Sequence, residues 1–335
     1  TDGEPNPGIC GKRLDKYYWR LLRYHSGTYQ SHRRSCEGFC AKTDEYHCGI
    51  GSFLINLLVF LYGKSSDRLF MKKPKYNKNP EDIRLFNELR ARVNRRVAEI
   101  PEDRDCIIQL KVFLLPLLYF GSYFYAQAHP HQPALYIGAY VIMGLTLVLI
   151  YLNLIHEAAH NNIFKSKKYN RAVLKIFDLI GANSYIWERR HIVSHHGYPN
   201  VNGWDTDIEQ SGPIKIYPYG EATGIQKFQH KFFFLVYPLY LFNWMFIRDF
   251  RDFFDSNRII QKTDVKIPNK EKVKMLLYKA FYFTYQIIIP IVVFNVAWQL
   301  AVGAWLLQVV VASCFALFVL LPLHPLTDNE FPQMD

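Results

Sequence analysis

Residues 134–155 restrict the fold of this chain more than any other stretch: a run of about twenty-two mostly apolar residues that ends abruptly on His156. As a helix, such a run is long enough to cross the hydrocarbon core of a bilayer, where each backbone N–H and C=O must be satisfied within the protein. Comparable runs recur at 107–125, 276–298 and 300–323. The expected fold is therefore all-α: an integral membrane protein with four transmembrane helices in two hairpins and a helical, histidine-bearing cap on the cytosolic side.

Charge sets the expected orientation. The connection after the first run, at 126–133, has no Lys or Arg, whereas Arg95, Arg96 and Arg104 precede that run and Lys165, Lys167, Lys168 and Arg171 follow the second. By the positive-inside rule both termini and His156 face the cytoplasm, in a bacterial inner membrane or an endoplasmic reticulum. His129 and His131 then lie on the opposite face and are excluded as partners of His156. The net charge of +11 goes with no recognisable nucleic-acid module, so the anionic membrane surface is the expected partner and nucleic acid is not. Ile83, Phe86, Leu89, Val93 and Val97 recur by threes and fours, which predicts a helix over 80–99 with one apolar stripe, lying on the membrane or against the catalytic domain. The aromatic-rich stretch 232–247 reads as an interface helix or as a buried helix of the cytosolic domain.

Histidines carry the chemistry. His156-Glu157-Ala158-Ala159-His160 opens one cluster, and His191-Ile192-Val193-Ser194-His195-His196 forms another. In an α-helix His156 and His160 share a face, as do His191 and His195, with His196 one step round, so both clusters can aim imidazoles at a common centre. Neutral imidazole is a ligand of iron, zinc and copper, and five from one short segment exceed what a single zinc needs, which implies two metals. HEAAH also fits the zinc-protease pattern in which Glu157 would be the general base. That reading needs only one further ligand and leaves the triplet His191, His195 and His196 without a role.

Three segments, HEAAHNNIF, SYIWERRHIVSHHGYPNVNGWDTDIEQ and LHPLTDNEFP, resemble the membrane-bound fatty-acid desaturases, nearest their acyl-CoA branch of linoleoyl-CoA-desaturase-like proteins. The resemblance runs from about Lys72 onward. It implies an oxidoreductase that uses two Fe ions, O2 and an external electron donor to place a cis double bond in a long acyl chain carried by CoA or by lipid. It assigns His156, His160, His191, His195, His196 and His324 to the metals. Glu157, Asp205 and Asp207 are expected to orient those ligands, and Trp187, Tyr198 and Trp204 to line the substrate path. The family's third box, HxxHH or QxxHH, is not found before Asp335, so residues 71–335 are expected to form a desaturase domain incomplete at its C-terminus and inactive alone. No His-Pro-Gly-Gly haem motif occurs, and the donor is expected to be a separate protein of cytochrome b5 or ferredoxin type. A hydroxylase of the same superfamily, acting on lipid or alkane, and the membrane zinc protease are the alternatives.

Residues 1–70 are expected to be a non-family extension, disordered or not native, with Met71 as the start. Cys36, Cys40, His47 and Cys48 lack the spacing of a common zinc finger, and no disulfide framework is expected.

Overall fold

A computed structural model describes residues 74–75, 79–99, 103–209, 213–215, 220–222, 224–263, 267–320 and 329–332. The expectations for residues 1–70 and for His324 lie outside the described residues. Helix α1, Pro80–Ala98, starts where Asn79 accepts a hydrogen bond from Glu81 N at 3.1 Å, with Pro80 in its first turn. Glu81 and Asp82 in that turn and Arg95 and Arg96 in the last complement the helix dipole.

Four helices are long and apolar enough to cross a membrane: Cys106–Ala128, Pro133–Ala159, Asn269–Val292 and Trp298–Leu320. The first belongs to α2, Asp103–Ala128. The second is α3, Pro133–Ile150, which runs through a π-helical turn, Tyr151–Ile155, into the short helix His156–Ala159. Half of the most apolar stretch of α3 is buried within the protein, against 11% for α2, so α3 is the axis of the bundle and α2 its flank. No strand occurs among the described residues.

After the His156–Ala159 helix the chain forms short cap helices, among them α4 (Lys167–Leu174) and α5 (Ser184–Glu188), with one further turn at Ile176–Leu179 between them. The aromatic-rich stretch is broken: Tyr237–Leu239 is a tight 3-10 turn, Trp244–Arg248 is π-helical, and α6 (Asp249–Phe254) follows. Trp244 and Met245 are buried while Phe234, Leu235, Leu239 and Ile247 are exposed, so one face joins the core and the other looks outward. Helix α7, Asn269–Phe283, continues through a π turn, Thr284–Ile288, to Val292, and α8 is Trp298–Leu320. The third run was expected to extend to 298. Instead the helix stops at Val292, and Asn295 takes a left-handed conformation (φ 53°) in the turn that leads into α8. The most extensive neighbour of α8 is α3. A Cβ at Gly144 of α3 would stand 2.7 Å from the Gln308 carbonyl oxygen of α8, so glycine is what lets the two backbones approach.

The bundle is joined by hydrogen bonds as well as by apolar contact. Pro290 has no N–H, which frees the Gln286 carbonyl four residues earlier, and the Tyr140 hydroxyl donates to it at 3.2 Å. Tyr123 donates to the Tyr285 carbonyl in the same π turn at 2.7 Å. Gln286 and Gln308 amides both donate to the Tyr119 hydroxyl, at 3.0 and 3.1 Å. With no water in the hydrocarbon to satisfy freed carbonyls, side chains from neighbouring helices do so and fix which helices meet.

Candidate metal centre

Each histidine cluster sits where the α-helical ladder is interrupted. The π turn Tyr151–Ile155 immediately precedes His156, and the short helix beyond it ends at His160. Asn161 there turns left-handed (φ 59°) as its N–H donates to the Ala158 carbonyl. Fully buried Asn170 holds the outgoing loop, accepting from Phe164 N at 3.0 Å and donating to the Phe164 carbonyl at 2.7 Å. Asp178 accepts from the backbone N–H and the hydroxyl of Ser184, at 2.7 and 2.8 Å, and the Asn183 side chain accepts from Ile186 N at 2.9 Å. Helix α5 is thereby aimed so that its continuation, the π helix Arg189–His195, faces the first cluster.

The π geometry changes which histidines share a face. In an α-helix His191 would stand beside His195, as the spacing predicts. Here the His196 N–H donates to the His191 carbonyl at 2.9 Å, an i to i+5 bond, and the two Nε2 atoms lie 3.1 Å apart. A Cβ at Gly197 would overlap the Val193 carbonyl, so glycine suits the close of this turn. His156, His160, His191 and His196 each offer a ring nitrogen, all within 4.8 Å of one another. His195 is rotated out of that set and pairs with Asp205 instead.

Carboxylates hold the second ring nitrogen of two histidines. His156 Nδ1 lies 3.1 Å from Glu157 Oε1, whose other oxygen accepts from Asn162 at 3.2 Å. His195 Nδ1 lies 3.1 Å from both oxygens of fully buried Asp205. Each Asp205 oxygen also takes a backbone N–H, from Asp207 and from Asn200, both at 2.8 Å. Asp207 is 3.6 Å from His195 Nδ1 and 3.4 Å from Arg248. His195, Asp205 and Asp207 together could also hold a cation. The direct Nδ1 bonds make them a carboxylate–imidazole pair in the first place, leaving His195 Nε2 free.

The electrostatics fit a ligand role for neutral imidazole. Burial, and then the neighbouring His156 and His196, push His191 down to about 3. His160 and His196 are lowered too, by burial first and then by their histidine neighbours. His195 is raised, because its hydrogen bond to Asp205 outweighs burial. Burial would raise Asp207, but Arg248 and Arg190 hold it below its usual range. The four-histidine set contains no carboxylate, and His191 and His196 direct Nε2 atoms at each other. Such a donor set suits a metal that prefers imidazole, iron, zinc or copper, over the oxygen-loving magnesium or calcium.

Sequence reasoning missed the support behind this centre. Arg190, next to His191 and buried, donates to Asp252 of α6 at 2.7 Å and to the Thr206 carbonyl at 2.5 Å. Arg258 donates to the other oxygen of Asp252 at 2.8 Å and pairs with Glu209 at 2.8 Å. The loop 204–209 is thus fastened to α6. An Arg-Arg-His string beside Asp-Thr-Asp carries no periodicity that announces the pairing with residues 252 and 258; only the fold supplies it. The described residues 329–332 reach the turn just before that loop, where Asn202 N donates to the Pro332 carbonyl at 3.3 Å, and Phe331 is buried.

A narrow apolar cavity lies beneath the centre, lined among others by Leu147, Tyr151, Phe177, Tyr240, Trp244 and Ala316. Trp187 joins it to the histidines: its ring is 5.5 Å from that of Tyr151 and stacks on His191 at 4.8 Å. Trp204 is buried against Tyr198, ring to ring at 4.9 Å, and neither lines this cavity. His129 and His131 lie in the connection between α2 and α3, at the far end of α3 from His156.

Comparison with known proteins adds an independent line. The chain is 29% identical over 133 residues to the sn-1 linoleoyl-lipid 6-desaturase of Synechocystis sp., a stretch covering 40% of this chain and 36% of that protein. It is 29% identical over 167 residues to the Arthrospira platensis protein of the same name, covering 49% and 44% of the two. With the acyl-lipid (8-3)-desaturase B of Dictyostelium discoideum it shares 27% over 173 residues, 50% and 36% of the chains. The chain therefore spans less than half the length of each of these relatives. No solved structure matches it. The model of the family described as fatty acid desaturase matches residues 131–327, from the foot of α3 through both histidine clusters and past α8, and the chain belongs to the fatty acid desaturase family.

Proposed function

We propose that the protein is a membrane desaturase that places a cis double bond in a long acyl chain at a centre of two irons. The observation that carries this reading is the convergence of His156, His160, His191 and His196, with His195 held beside them by Asp205. These five would hold the irons, with His324 as a further ligand. Iron would supply the oxidising chemistry that no side chain has, drawing on dioxygen and on two electrons from a separate donor protein. The overall change balances as one –CH2–CH2– unit, one O2, two electrons and two protons giving one –CH=CH– unit and two waters.

The chain's own residues position and exclude. Glu157 and Asp205 fix ring orientation by holding Nδ1 of His156 and His195, so that Nε2 of each is the free donor. Asp207, between Arg248 and His195, keeps the loop 204–209 charged and in place. The narrow apolar cavity from Leu147 to Ala316 would be the side from which an acyl chain approaches, one aromatic ring away from His191. The relatives are named as enzymes of acyl lipids, which favours a lipid-borne chain over acyl-CoA. The excess of Lys and Arg beside the histidine clusters supports a cytoplasmic site.

Metal analysis and product analysis test the proposal together. The protein is expected to hold about two irons and, with dioxygen and a reduced donor, to yield unsaturated acyl chains by gas chromatography. His191→Ala is expected to lose both. One zinc and no iron would overturn the reading, and a hydroxylated product in place of an alkene would assign the sister chemistry.

A further inference from the structure

Helix α1 presents an unpartnered amphipathic surface. None of its residues is buried, and Ile83, Leu85, Phe86, Leu89, Val93 and Val97 are each 46–66% exposed, so the expected alternative of packing against the catalytic domain is absent among the described residues. Ile83, Phe86, Leu89, Val93 and Val97 follow one another by three or four positions and therefore form one continuous stripe. Cations accompany it. Arg84 pairs with Glu88 and Arg96 with Glu99, but Arg90, Arg92 and Arg95 form no ion pair among the described residues. Arg90 and Arg92 flank the stripe, where their aliphatic stems can lie along apolar surface while the guanidinium reaches outward.

We propose that α1 is a membrane-surface clamp that lies in the headgroup layer and selects anionic lipid. Two features name this occupant over others. The helix ends at Ala98, five residues before α2, which carries the first candidate span, so the bilayer is the nearest apolar phase by chain connection. Arg90 and Arg92, unpaired beside the stripe, match the charge of a phosphatidylglycerol or phosphatidylserine layer, in which each cation near the surface strengthens attachment about fivefold. The stripe supplies insertion and the arginines supply the choice of lipid. This inference is independent of the chemistry proposed above.

The test uses the whole protein in nanodiscs, with Leu89→Cys in a background whose other cysteines are replaced and an environment-sensitive fluorophore on that thiol. Discs of phosphatidylcholine alone are compared with discs containing phosphatidylglycerol. Shielding from iodide, quenching by lipid-borne nitroxide in the anionic discs, and a marked loss of both in neutral discs are expected. The double substitution Arg90→Gln, Arg92→Gln is expected to lower the docking equilibrium roughly twenty-five-fold and abolish the difference between lipids. A label open to iodide in both discs overturns the proposal. So does shielding that persists in detergent without lipid, which would mean packing on the protein itself. Shielding that requires two copies per disc, or an added electron-donor protein, would give the stripe to that partner instead. Repeating the measurement at Val93 guards against a local effect of one label.

Discussion

Replacing Asp205 by asparagine tests the centre at its most constrained carboxylate. Asp205 is fully buried, and its two oxygens serve His195 Nδ1 at 3.1 Å and the backbone N–H groups of Asn200 and Asp207 at 2.8 Å. Asparagine has one acceptor oxygen and one NH2 group, so either orientation turns a donor toward a backbone donor. One buried N–H loses its partner, which costs about 1–3 kcal/mol. His195 loses the charge that raises its pKa, and its Nδ1–H keeps only the single uncharged amide oxygen in place of two carboxylate oxygens. Loss of such an orienting group typically lowers metal affinity or activity about ten- to a hundredfold. Iron occupancy measured against a graded chelator should therefore shift by that factor, with a lowered thermal midpoint and intact membrane insertion. An Asp205→Asn protein that holds iron as tightly as the parent would refute the pairing as an orienting device. Unchanged stability would refute the accounting of its hydrogen bonds.

Acidity should destabilise the metal-free protein. With His191 lowered to about 3, the unfolded chain binds the additional proton between that value and the ordinary histidine value of about 6.5. His160 and His196, also lowered, act in the same direction. His195 acts oppositely: its pairing with Asp205 contributes fully below about 6.5 and fades as pH rises through its raised value. With three groups against one, the thermal midpoint is expected to fall from pH 7 to 5, and His191→Phe should flatten that slope. At the contact of α3 and α8, Gly144→Ala puts a Cβ 2.7 Å from the Gln308 carbonyl and should cost about 1–3 kcal/mol, read as a lower midpoint in detergent. Ala316→Phe fills the apolar cavity and is expected to shift product toward shorter acyl chains at unchanged iron content; an unaltered product profile would remove the cavity from the substrate path.

Long-range order was legible in this sequence wherever one physical rule dominated. Apolar length alone located α2, α3, α7 and α8, because nothing but a helix of that length suits a bilayer. The third span, expected over 276–298, was misplaced at both ends: its helix begins at Asn269, ahead of Lys274, and stops at Val292 before the left-handed turn at Asn295. Lys279 is buried there against Asp249 at 2.7 Å and the Gly181 carbonyl at 2.6 Å. Histidine spacing pointed to five side chains at one centre, of which His156, His160, His191 and His196 meet and His195 stands apart with Asp205 and Asp207. An α-helical wheel puts His191 with His195, and only the π turn, which no local composition announces, gives His191 to His196 and His195 to Asp205. The Arg190–Asp252–Arg258 support was invisible for another reason: its members are separated by up to 68 positions and joined by a fold rather than a motif.

Glu157 separates the two chemistries that its motif allows. In a zinc protease the glutamate of HExxH is the base that activates water, so Glu157→Gln would eliminate turnover while sparing metal. In this structure both Glu157 oxygens are engaged away from such a task, one with His156 Nδ1 at 3.1 Å and the other with Asn162 at 3.2 Å. A glutamine in the same place still offers its carbonyl oxygen to His156 Nδ1–H, although its NH2 then faces the Asn162 amide. What is lost is one charge-assisted bond of a half-exposed residue, not a proton acceptor. The expected outcome is thus graded: iron content and desaturation fall by about ten- to a hundredfold or less, and dioxygen- and reductant-dependent formation of unsaturated chains stays measurable by gas chromatography. The two losses should also track each other, because an orienting residue acts through the ligand it holds. A complete block with normal iron would make Glu157 a direct participant in the reaction, and peptide cleavage that needs Glu157 would replace the desaturase with a protease.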